Sequence, residues 1–86
     1  MINSKDHHLA WSGLLNELDE AREHLDDLVK EMNAAGAIED SEFAVYLGHV
    51  FAHLNRAWHS RNQDAAVSLE QWPSFSQFPS DLRPVG

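Results

Sequence analysis

Trp11, Leu18, Leu25 and Met32 recur every seven residues, and Leu14, Ala21, Leu28 and Ala35 run as a second series three residues later. All eight of these positions are apolar, a pattern that only an α-helix turns into one continuous stripe. Leu15 and Val29 widen the stripe beyond a two-position seam, as in the helices of bundles. Asp19, Glu20, Glu23, Asp26, Asp27 and Lys30 take the opposite face, which must therefore meet water. Asp6 is the expected N-cap, and Gly36 stands where a left-handed residue would end the helix. The predicted first helix covers residues 7–35, a rod roughly 43 Å long at about 1.5 Å per residue.

A second helix is predicted over 40–62. Phe43, Leu47, Val50, Phe51, Leu54, Ala57 and Trp58 fall on one face, and Ala44, Gly48 and Ala52 form a stripe of small residues. Glycine inside a helix is unfavourable by up to about 1 kcal/mol against alanine, so Gly48 points to a close neighbour. The helix weakens after Asn62; Ala65, Val67 and Leu69 would tolerate its extension to about residue 71, and Pro73 would stop it. Residues 1–71 are thus read as a helical hairpin.

The tail, residues 72–86, reads as an extended strap. Pro73, Pro79 and Pro84 oppose a regular helix, while Trp72, Phe75, Phe78, Leu82 and Val85 are too apolar for an idle end. Its rings are expected in a groove of the same chain, of a twin chain or of a foreign partner.

With 86 residues the chain forms at most one domain. The expected class is all-α. One layer of two antiparallel helices cannot enclose both apolar stripes, so the hairpin is expected to dimerise with twofold symmetry into a four-helix bundle. A monomer closed by its own tail is the competing solution.

Charge narrows the partners. Residues 1–40 hold ten acidic against three basic residues, a balance of −7 out of the −8 of the whole chain. Such a surface repels phosphate backbones, and no nucleic acid is expected. A basic protein partner fits it, as does a merely solvated helix face. No cysteine is present, which removes disulfides and thiolate sites. The first residues lack the basic and apolar regions of a signal peptide, and no apolar run is long enough for a membrane span. A cytoplasmic protein without membrane contact is the expectation.

"KEMNAAGAIEDSEF", residues 30–43, partly matches a calcium-binding loop. Gly36 would fill the invariant sixth place, Asn33 the third and Glu42 the bidentate twelfth. The first ligand place, however, holds Glu31, and the fifth holds Ala35, which offers no side-chain oxygen. A hairpin turn explains the same residues without a metal: Gly36 ends one helix, Ile38 plugs the top, and Asp40 caps the next.

His49 and His53 lie one helical turn apart, the spacing of a helical zinc site. Glu17, His24 and Glu31 share a position flanking the first helix's core, with Glu20 and Asp27 beside them. Were the two flanks to face each other, His24, His49 and His53 with carboxylates of the first helix would suit zinc, nickel or iron. The Glu-x-x-His pair of di-iron bundles is missing, since Glu20 and His24 are four apart; His7 and His8 read as a flexible pair. Glycine-rich phosphate loops, nucleophile elbows and a cysteine nucleophile are absent, so neither catalysis nor a cofactor is expected.

The candidate interface residues are Trp11, Leu14, Leu18 and Leu25 of the first stripe, Phe51, Trp58, Arg56 and Arg61 of the second helix, and Trp72, Phe75 and Phe78 of the tail. Arg and Trp anchor many protein interfaces. The plainer alternative puts Trp58 in the core and pairs Arg56 and Arg61 with acids of the first helix. Together these features describe a small acidic helical protein acting through protein–protein contacts as regulator, adaptor or inhibitor. A metal-binding bundle built on His49 and His53 is the alternative.

Overall fold

The computed structural model describes residues 1–86. Two long helices, α1 (His8–Ala35) and α2 (Asp40–Ser60), pack antiparallel, and a one-turn helix, α3 (Trp72–Phe75), returns onto α2. Gly36 ends α1 with φ of 68°, and its N–H bonds the Met32 carbonyl at 2.9 Å, the left-handed cap that the sequence suggests. Residues 31–35 belong to α1 and 40–42 to α2, so only residues 36–39 separate the helices. A twelve-residue calcium loop therefore does not exist, and the stretch is a hairpin turn. No helix is long and apolar enough to cross a membrane.

The N-terminal caps differ from expectation. His7, not Asp6, holds the N-cap position of α1 and makes no side-chain cap bond. Asp6 is engaged by a turn in which Asn3 Oδ1 accepts the backbone N–H groups of Lys5 and Asp6 at 3.1 and 2.8 Å. The orphan donors of α1 are met instead by Asp64, whose Oδ1 accepts the N–H groups of Leu9 and Ala10 at 3.2 Å each. For α2, Glu39 occupies the N-cap without a side-chain bond; Asp40 lies one residue further in, where with Glu42 it favours the helix dipole.

Beyond Ser60 the helix does not continue. Residues 61–71 form a connection tied by a reciprocal amide pair, in which Gln63 and Gln71 each donate Nε2–H to the other's Oε1 at 3.0 Å. The tail then begins with a helical turn instead of an extended run. Pro73 sits in its first turn, where a missing N–H does no harm.

Residues 72–81 lie along the second half of α2. Asn55 donates to the Ser76 carbonyl at 3.0 Å, His59 Nε2 meets the Gln77 carbonyl at 3.0 Å, and Trp58 Nε1–H donates to Asp81 at 2.9 Å. Phe75 stacks on His59, and Phe78 on Phe51 with ring centroids 6.4 Å apart. Pro79 is fully buried, yet Trp72 and Phe78 remain about half exposed.

The interior is thin. Nine of 86 residues are buried, and the apolar ones among them are Ala10, Ala21, Leu28, Ala57 and Pro79. The antiparallel register runs from Leu9 opposite Asp64, through Glu17 opposite Arg56, to Glu31 opposite Tyr46. Helical geometry then puts Trp11, Leu18, Leu25 and Met32 on the same side of the hairpin as Leu47, Phe51 and Leu54. All seven are between 37% and 49% exposed. The opposite side carries the imidazole and carboxylate side chains, with Val45 exposed among them.

Gly48 has no close neighbour in the chain, for a Cβ built there meets nothing within 4 Å. The expected packing reason is thus not found between these helices. Gly48→Ala should raise stability by about 0.5–1 kcal/mol, the ordinary gain of alanine over glycine inside a helix. A urea midpoint that falls instead would show that a second chain packs against Gly48.

Candidate functional site

The polar side of the hairpin brings together the flanks that the sequence marks. Glu17, His24 and Glu31 recur every seven residues along α1 and so form one line. Tyr46, His49, His53 and Arg56 recur at spacings of three and four along α2 and meet that line in order.

At the turn end, Tyr46 Oη–H donates to Glu31 Oε2 at 2.7 Å. Hydrogen bonding from Glu42 and then from Tyr46 holds the Glu31 carboxyl below its usual range. The same contact raises Glu42, because its protonated form is the one that can donate to Glu31; burial adds to the rise. The bond to Glu31 likewise raises the Tyr46 phenol. Glu42's raised value favours the proton in the folded state, so this part of stability is present in acid and is lost as pH rises through the folded value. Glutamine carries that donor at every pH. Glu42→Gln should therefore melt above the parent near neutral pH, with the gap closing as the medium falls through the carboxylate range. Equal melting temperatures at both ends would refute the shared proton.

In the middle, three imidazoles stack. The His24 ring lies 4.8 Å from that of His49 and 5.3 Å from that of His53, tilted by 19° and 22°. His49 is exposed, His24 half-buried and His53 buried. One helical turn before His24, Glu20 Oε2 comes to 3.4 Å from His53 Nε2.

Next to it sits a buried ion pair. Arg56 Nε–H donates to Glu17 Oε2 at 3.1 Å, with side chains 6% and 14% exposed. The same carboxylate oxygen lies 3.2 Å from His53 Nδ1, and Arg56 Nη2 lies 3.0 Å from that nitrogen. Arg56 Nη1–H donates to Ser76 Oγ at 2.8 Å, and the guanidinium covers the Trp72 ring at 4.0 Å. Trp72, Pro73 and Ser76 thus wall one end of a shallow groove whose floor includes Gly48, Ala52 and His53.

The anticipated interface residues divide accordingly. Trp11, Leu18, Leu25 and Phe51 stand on the open apolar side, about half exposed, while Leu14 is more covered. Trp72 and Phe78 are also half exposed, and Phe75 is largely covered by His59. Arg56 is a correction: it is spent inside the chain on Glu17, His53 and Ser76, and is not an exposed anchor. Arg61 lies over the Trp58 ring at 3.7 Å and reaches Asp81 at 3.8 Å, so its acid belongs to the tail and not to α1. Trp58's hydrogen bond holds Asp81 below the usual aspartate range.

Sequence spacing finds His24, His49, His53 and Glu17; it does not find Glu20 as the acid that closes on His53. That choice depends on the register between helices, which no local pattern records. Comparison with family models, curated proteins and solved structures finds no match for this chain.

Proposed function

We propose that this chain is a non-enzymatic protein-interaction module working as a homodimer, in which two hairpins close their apolar sides into a four-helix bundle. One observation carries the reading. The chain exposes 6411 Å², whereas a folded monomer of 9.7 kDa should expose about 5,100 Å². The surplus is thus on the order of 1,300 Å².

The second copy is the occupant that best fits this surplus. From Trp11 to Met32 the open stripe rises about 32 Å, and with α2 beside it at about 10 Å the face covers roughly 600 Å² in projection. A stable pair of proteins covers about 800 Å² on each partner, so the face matches that scale. A heptad stripe is also self-complementary under a twofold axis. Pairing there leaves the acidic outer face of α1 in water, available to a basic protein partner, as an adaptor or inhibitor requires.

Light scattering tests the assembly: the expected mass is twice 9.7 kDa. A mass of one chain at the highest soluble concentration would overturn the dimer. For the partner, binding to a basic protein should weaken steeply with added salt.

A further inference from the structure

We propose that Glu20, His24 and His53 form a divalent transition-metal site of the zinc class on the polar side of the hairpin, with His49 available as a fourth ligand. One donor atom from each of the three lies within 4.8 Å of the other two. The site stands independently of the dimer, which uses the other side.

Ligand chemistry favours zinc. Two imidazoles and a carboxylate make the nitrogen and oxygen set that zinc takes, and exposed His49 stacks directly on His24. A tetrahedral zinc ion at about 2.0–2.1 Å from each donor needs neighbouring donors about 3.4 Å apart. His53 Nε2 and Glu20 Oε2 already stand 3.4 Å apart. Any wider gap involves His24, so its half-buried ring must turn toward His53 while Glu20, whose side chain is 48% exposed, follows.

The neighbour of the buried ligand supplies the second observation. His53 is 7% exposed, and its Nδ1 faces Glu17 Oε2 at 3.2 Å. A carboxylate behind a ligating histidine is the arrangement that orients metal-bound imidazoles. With the ring proton on Nδ1 donated to Glu17, the Nε2 lone pair is free on the side where Glu20 Oε2 stands 3.4 Å away. In the other tautomer Nδ1 accepts from Arg56 Nη2 at 3.0 Å, and Nε2–H lies 3.4 Å from Glu20 Oε2. Zinc would select the Nδ1–H tautomer, and Arg56 Nη2, a donor 3.0 Å from that nitrogen, would have to turn away. Arg56 would then keep its bonds to Glu17 and Ser76.

Untagged, chelator-stripped protein titrated with zinc chloride in a calorimeter tests this. One zinc per chain is expected, and cobalt should give the visible bands of a low-symmetry four-coordinate site. His24→Ala and Glu20→Gln should each weaken binding at least tenfold, and Glu17→Gln by about 10–100-fold through loss of ring orientation. The exposed pair His7 and His8 is the control: replacing both by alanine should leave affinity unchanged. The proposal fails if no saturable binding occurs, or if binding survives His24→Ala and Glu20→Gln in variants whose helical circular dichroism is intact. It fails equally if the His7 and His8 replacements abolish binding.

Discussion

Arg56→Met is expected to lower the melting temperature by about 12 °C or more. Methionine keeps most of the stem's contacts, so what is lost is the charge and its donors. The guanidinium is the permanent charge paired with Glu17, and it joins α1, α2 and the tail through Glu17, Trp72 and Ser76. Removing one partner of a buried ion pair leaves the other charge desolvated, at about 3–5 kcal/mol. In a domain of this size each kcal/mol moves the melting point by roughly 4–8 °C. Combining Arg56→Met with Glu17→Gln should recover part of the loss, because no uncompensated charge then remains. A single variant melting within a degree or two of the parent would show that solvent reaches Glu17 freely.

The second large effect concerns assembly. Leu18→Glu together with Leu25→Glu should convert the proposed dimer to a monomer, so that the mass by light scattering falls to 9.7 kDa. Both leucines are nearly half exposed in the single chain, at 46% and 45%. Their replacement therefore changes little inside one hairpin, and helical circular dichroism should survive. In the dimer each would force a carboxylate into an apolar seam, facing its symmetry mate. Melting of the parent should depend on protein concentration, and that of the variant should not. If the variant keeps the parent's mass, the seam lies elsewhere.

Much of the hairpin could be read from local patterns because its causes are local. The unbroken heptad specifies α1, and Gly36 ends it through a conformation that glycine adopts at no steric cost. The features that escaped depend on residues far apart in the chain. Asp6 looks like a cap by position, but Asp64 reaches the orphan N–H groups from the other end of the molecule. The end of α2 at Ser60 reflects the bonds of residues 61–71 and not any helix-breaking residue. Pro73 announces a stop, yet a proline fits the start of a helix as readily. At the site, the period of seven groups Glu17 with His24, and the period of four groups His49 with His53. Which pairs of these touch is set by the antiparallel register alone.

The span from Asp64 to Leu9 and Ala10 carries a consequence for biosynthesis. During synthesis α1 lacks its cap until residue 64 has emerged from the ribosome, and Glu17 waits for Arg56 in the same way. Until then α1 is a frayed, acidic rod with its oily side bare. Chaperones, or a neighbouring nascent copy on the same message, would meet that side while the chain is still being made.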